Sequence, residues 1–222
     1  VPDEPAIAAV RHKLRQNGLH PYSLPLGLDL DRWLAKAKTP WDAHPNCQDG
    51  KMDAETTALA VALGHPNVTL QVRSRVTRLE TSEDGRRIVA VHVLRDGVAE
   101  RIAPRMVILS AGAVQSAALL LRSANDRHPR GLANTSDQVG RNFMNHNSSA
   151  VLAISPFYRN TSIYQKTFGF NDFYLSDGKG GPPLGNVQLL GRVSGQILKA
   201  NMPKVPEWLL ERISRHAIDF YA

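Results

Sequence analysis

A single cysteine, Cys47, stands in a chain of 222 residues. It excludes an intramolecular disulfide framework and any all-cysteine metal site. Aromatic residues are sparse, at 6%, and no aromatic-rich strand motif of the RNA-binding kind occurs. No apolar run approaches the roughly 20 residues that a membrane-spanning helix needs. Fixed-period repeats and low-complexity segments are missing as well. The opening Val1-Pro2-Asp3 offers no Met, no basic n-region and no apolar h-region, so no signal peptide is read there, and neither cytoplasm nor periplasm is singled out. The close at Asp219-Phe220-Tyr221-Ala222 follows an amphipathic pattern without a polar tail. Together the two ends suggest a piece of a longer chain.

What is present suits a folded protein. Hydrophobic residues at 42% and charged residues at 21% can bury a sizeable core. The 27 Lys and Arg exceed the 20 Asp and Glu by 7, but they are dispersed along the chain. Dispersed charge reads as a solvated surface, and no nucleic-acid partner is expected.

Hydrophobic spacing organises the chain. Asp3 and Pro5 open a helix with Ile7, Val10 and Leu14 on one face, closed by Gly18. Leu24, Leu26, Leu28 and Leu30 alternate around Pro25 and Gly27, as an extended segment or edge strand would. Residues 36 to 52 read as loop, and Asp53 caps a short helix to Leu63. Val68, Leu70 and Val72 face inward on a strand running to about Leu79, with Arg73 and Arg75 on the solvent side. Turns at Ser82–Gly85 and Asp96-Gly97 make three successive strands an antiparallel meander. Met106–Leu109 is continuously apolar, as a strand buried on both faces is, and runs through Ser110-Ala111-Gly112 into a helix bearing Val114, Ala117, Ala118, Leu120 and Leu121. Strand, small-residue turn, helix is half of a βαβ unit. Beyond a loop-rich stretch to Asn147, strands are expected at 151–154, 187–190 and 192–197, and a last helix after Pro206. A domain boundary falls near Asn147.

Among candidates for chemistry, the Ser110-Ala111-Gly112 turn leads. Small residues at a helix start admit a ligand to backbone amides, and the helix dipole favours an anion there; close helix-to-strand packing explains the same residues equally well. No Gly-x-Ser-x-Gly elbow surrounds Ser110. The eight histidines are scattered. His44 and Cys47 lie close enough to share a metal but lack a second pair. Asn142–Asn147, with His146 between asparagines, suits acid–base work or, more readily, the satisfaction of backbone groups in a buried loop.

Three stretches, in order, resemble the glucose-methanol-choline (GMC) family of FAD-dependent oxidoreductases. They are His65-Pro66-Asn67-Val68-Thr69-Leu70 through Val76, Val107–Ser123 with Ser110-Ala111-Gly112 at its turn, and Gly131-Leu132-Ala133-Asn134 with Val139–His146. The resemblance implies an α/β fold, α+β overall. Residues 1–147 would be part of a Rossmann-like FAD-binding domain with an antiparallel β-meander, and 148–222 the start of an antiparallel-sheet substrate domain. The main chain of Val76 would contact the FAD adenine, and Ser110, Ala111 and Gly112 would lie near the adenosine and pyrophosphate.

The family's N-terminal Gly-x-Gly-x-x-Gly and its C-terminal proton-accepting His have no counterpart in these residues. His146 matches the middle motif and is not read as a catalytic base. The loop 46–53 resembles a Cys- and Gly-containing loop of some bacterial members in shortened form. The reading is therefore an internal piece, inactive by itself, of an enzyme oxidising a CH–OH group of an alcohol or sugar, partnered by the remainder of its parent chain. The electron acceptor is not legible. A non-catalytic nucleotide-binding module using the Gly112 turn is the rival reading.

Overall fold

The computed structural model describes residues 1–36, 50–164 and 166–222. The chain divides into two compact units, Val1–His65 with Asn147–Ala222, and Pro66–His146. The chain passes between them at His65–Pro66 and at His146–Asn147. Residues 1–65, placed with the meander on sequence, instead share a core with the far end of the chain. Long-range apolar contacts decide that pairing, and local periodicity does not report them.

The first unit is built on a five-stranded sheet ordered β1-β6-β7-β8-β5, from β1 (Tyr22–Ser23), β5 (Ala150–Ile154), β6 (Phe168–Phe170), β7 (Val187–Gly191) and β8 (Ala217–Tyr221). Every pairing is antiparallel. Helix α1 (Pro5–Gln16) places Ile7 fully out of solvent against Phe168, Phe170, Leu189 and Ile218, with Val10 and Leu14 packed beside them. Its expected N-cap is not used: Glu4 occupies that position, and Asp3 instead pairs with Arg11 at 2.6 Å. The Glu4 carboxylate accepts the backbone N–H groups of Ile163 and Tyr164, fastening the helix start to a distant loop. Leu28 and Trp33, the latter on α2 (Leu30–Lys36), form a second small core with Tyr164. The leucine alternation thus forms no strand of its own: the two-residue β1 precedes it, Leu28 makes one bridge and Leu30 starts a helix.

A π-helical turn (Glu55–Leu59) leads into α3 (Ala60–Leu63). Asp53 caps it as expected, its Oδ1 accepting the Thr56 N–H at 2.8 Å; these hydrogen bonds lower the Asp53 pKa. The His44–Cys47 pair and most of the 46–53 loop fall outside the described residues.

Near the C-terminal end, two expectations change. Helix α5 (Gly195–Asn201) takes the second half of the strand expected at 192–197, because Ser194 caps a helix by accepting the Ile197 N–H. After α6 (Glu207–Ser214) the chain forms β8, which lies between β7 and β5. Asn160, 2% exposed, bridges this region, donating to the carbonyls of Gly191 and Ala217. Among the described residues no helix is long and apolar enough to cross a membrane.

Asp219 projects from β8 and is 7% exposed, and its Oδ1 has no hydrogen-bond partner among the described residues. Burial pushes its carboxyl up to about 6, against an ordinary 3.8. An acid with a raised folded-state pKa contributes stability below its unfolded value and loses it as pH climbs through the folded one. Asp219→Asn is therefore expected to gain stability over the parent between about pH 4 and 6, with the gap level above that window. Urea midpoints across pH 4 to 8 measure it; a gap that is constant or shrinks with rising pH would refute the assignment.

Candidate nucleotide-binding site

The second unit is a three-stranded antiparallel meander, β2 (Ser74–Thr81), β3 (Ile88–Arg95) and β4 (Val98–Ile102), with α4 (Gly112–Arg122) packed on β2. The Asp96-Gly97 signal is realised, both residues taking positive φ (49° and 85°) in the two-residue turn that joins Arg95 to Val98. Glu80, His92 and Arg101, one from each strand, form a row in which hydrogen bonds from Arg101 first and then His92 hold the Glu80 carboxyl down to about 2.

Val76 lies on β2 opposite Val93. Its side chain is half-buried against the core of Leu79, Leu119 and Leu132, to which Leu109 and Leu120 also contribute. A bulge follows at once: Thr77 is the extra residue, and its Oγ1 donates to the His92 carbonyl. The bulge shifts the strand's parity, so that both Val76 and Leu79 turn toward the core. Val68, Leu70 and Val72 are exposed rather than inward-facing, because β2 starts only at Ser74. Arg73 and Arg75 are exposed as expected.

The outer edge of β2 is met by α4. Ser123, fully buried at the end of that helix, accepts the Leu79 N–H at 2.9 Å and donates to the Leu119 carbonyl at 2.7 Å. One hydroxyl thus joins strand to helix. The loop after α4 is fixed by Asn134, which is 3% exposed. It donates to the Arg130 carbonyl and accepts the Val139 N–H, while the Leu132 N–H reaches the Leu120 carbonyl. Sequence reasoning assigned no role to Ser123 or Asn134; the only signal was the polar residue inside each quoted motif.

Ser110, Ala111 and Gly112 are all exposed at the entry to α4. Gly112 has φ +77°, and a Cβ built there meets nothing within 4 Å. The turn therefore needs glycine for its backbone conformation, and the space in front of it is open. Of the two readings of this turn, close packing fails at Gly112. No side chain caps the helix, no acidic residue lies in its first turn, and only the Ala111 N–H is taken up locally, by Ser116 Oγ at 3.1 Å. Residues 110–115, the turn and the first turn of α4, are exposed. The structure thus brings Val76 and the Ser110–Gly112 turn into one unit through a shared core.

Met106–Leu109 departs from expectation. Val107 and Leu109 pack into the core, but Met106 and Ile108 are 79% and 82% exposed, and the segment has no strand partner among the described residues. A strand buried on both faces needs neighbours on both sides. The Asn142–Asn147 stretch is exposed, not a buried loop. Within it Asn145 Oδ1 accepts the His146 N–H, and Asn142 donates to Gln138. Among the described residues no group of three His, Cys, Asp or Glu is placed to hold a metal.

Comparison with known proteins bears on the same region. Residues 40–148 match the family model described as GMC oxidoreductase. The chain is 32% identical over 185 residues to 6'''-hydroxyparomomycin C oxidase of Streptomyces lividus, covering 77% of this chain and 34% of that protein. It is 43% identical over 94 residues to 5-(hydroxymethyl)furfural oxidase of a Methylovorus species, covering 40% and 17%. It is also 32% identical over 131 residues to paromamine 6'-oxidase of Streptomyces fradiae, covering 56% and 24%. The chain spans about a third or less of the length of these relatives.

Ser123→Ala is expected to destabilise the second unit by about 1–3 kcal/mol, since it leaves the Leu79 N–H buried and unpaired. Denaturant unfolding and amide exchange at Leu79 report it; unchanged protection of that amide would count against the link.

Proposed function

The chain belongs to the GMC oxidoreductase family, and we propose that the protein it forms part of uses FAD to oxidise a CH–OH group of a small alcohol or sugar. The observation that carries the cofactor assignment is the uncapped, outward-facing start of α4 at Gly112, where φ is +77° and the approach is open. In this reading Ser110, Ala111 and Gly112 offer backbone amides to the adenosine–pyrophosphate end of FAD, and the α4 dipole favours the phosphate charge. Val76 offers its main chain to the adenine from the strand on which α4 packs. When bound, FAD would supply the acceptor for the hydride of the substrate's C–H bond.

This chain's own contribution is positional. Ser123 fixes α4 against β2, the Asn134 loop braces the far end of the helix, and the apolar core beneath keeps the turn and the strand in register. We assign no catalytic base within the chain: His146 is exposed in a polar stretch and is read as part of the loop beside the cofactor. The exposed alternation at Met106 and Ile108 supports a role for the remainder of the parent chain, which would cover this segment. The names of the relatives, which give 6'''-hydroxyparomomycin C, 5-(hydroxymethyl)furfural and paromamine as what is oxidised, support a hydroxyl-bearing small molecule as substrate.

In the full-length gene product, Gly112→Val is expected to lose most of its bound flavin while keeping its circular dichroism spectrum. A branched side chain disfavours the left-handed backbone and intrudes on the approach. Flavin absorbance of the purified protein decides: a folded variant with full FAD overturns the cofactor assignment for this turn.

The 222 residues expressed alone are expected neither to retain stoichiometric FAD nor to reduce a dye with any alcohol or sugar. Hydride transfer also requires a group that takes the hydroxyl proton, and none is assigned here. Flavin titration and a dye assay across a substrate panel measure both. Substrate-dependent dye reduction would show a complete site within this chain.

A further inference from the structure

At the β5 edge of the first unit, a loop and a helix leave an apolar corner in solvent. β5 ends at Ile154, and the loop behind it is tied to the end of α6. The Ser155 N–H donates to the His216 carbonyl, the Asn160 N–H donates to the Arg215 carbonyl, and His216 Nδ1 lies 2.8 Å from the Tyr158 carbonyl. Between these ties Phe157 is 98% exposed. On α6, the buried Leu210 and Ser214 fix the inner side. At about 3.6 residues per turn, Trp208, Arg212 and Arg215 then point away from the core. Leu209, Ile213 and His216 take one flank, where they line an open groove with Ile154, Pro156 and Arg212. Glu207 and Glu211 fall on the other flank.

We propose that this corner docks the protein peripherally on an anionic lipid surface. Phe157 and Trp208 enter the boundary between headgroups and acyl chains, and Arg159, Arg212 and Arg215 meet the phosphates. Exposed apolar surface rimmed by charge is the mark of an interaction site, and aromatic side chains beside arginines are the composition of an interfacial anchor. The charge on this corner is available. Arg159 and Arg212 have no ion-pair partner among the described residues, and Glu211, 3.6 Å from Arg215, is also engaged by Arg192. A second copy suits the corner poorly, since a two-fold interface would set like guanidinium groups against one another. The aliphatic walls at Ile154, Leu209 and Ile213 suit acyl chains. The surface belongs to the first unit alone, does not depend on the flavin reading and requires no membrane-spanning helix.

The test is co-sedimentation of the full-length gene product with phosphatidylcholine vesicles, with and without phosphatidylglycerol. Partitioning is expected on the anionic vesicles, weaker on the neutral ones, and falling as salt is raised. Phe157→Ser and Trp208→Ser should each lower it about tenfold or more, and Arg159→Gln with Arg212→Gln should remove the preference for phosphatidylglycerol. Leu175→Ser, at an equally exposed site in the loop between β6 and β7, should change nothing. Acyl chains carrying bromine should quench tryptophan fluorescence in the parent and not in Trp208→Phe. No partitioning on anionic vesicles, partitioning that survives both serine substitutions, or equal partitioning on neutral vesicles would each overturn the proposal. Self-association in the absence of lipid that Phe157→Ser and Trp208→Ser both abolish would give the corner to a second copy and overturn it as well.

Discussion

Ile7 is the residue on which the first unit closes. It comes from the opening helix and is fully buried among Phe168, Phe170, Leu189 and Ile218, which lie some 160 to 210 positions further on. Among the described residues, no strand of this unit's sheet but the two-residue β1 precedes residue 150. The core of this unit therefore exists only when the two ends of the chain meet. Non-local closure carries a high loop-entropy cost, and several polar clamps share the task of offsetting it. Glu4 holds two backbone amides of the 163–164 loop, Arg11 bonds to Asp3 and to the Thr167 carbonyl, and Asn160 bridges the end of β7 and the start of β8.

The meander unit follows a different logic. Its three strands are joined by short turns and its contacts are largely local, which is why it is the most legible part of the sequence. The one long-range decision within it is the seating of α4 on β2, made by the Ser123 hydroxyl together with the Leu79–Leu119–Leu132 core. That seating sets where the Gly112 turn stands. The turn leaves the helix start uncapped, which forgoes the stability a capping side chain supplies, while glycine takes its positive φ there without strain.

Legibility in the sequence tracked the range of the interactions. Asp96-Gly97 specified its turn because φ above zero is a property of the residues themselves. Asp53 specified its cap because the acceptor and the amide are three residues apart. Ser110–Gly112 could be located as a turn, with two explanations, until the space around Gly112 excluded close packing there. By contrast, the inward face expected of Val68, Leu70 and Val72 is not found because β2 starts only at Ser74, and the bulge at Thr77 reverses the alternation further along. Residues 106–109 were read as a doubly buried strand from composition, whereas pairing depends on neighbours that composition does not reveal.

Sequence alone determined the meander, its turns, the helix after Gly112, the resemblance to the GMC family and the position of the Val76 and Ser110–Gly112 candidates. These rest on short-range stereochemistry and on motif order, both of which are written linearly. Tertiary structure decided that residues 1–65 join 147–222, that 195–201 is helix, that 217–221 is a central strand, and that Asp219 lies buried. Each of these depends on which apolar surfaces meet and which polar atoms they strand from water, and those are properties of the folded packing, not of any local stretch of chain.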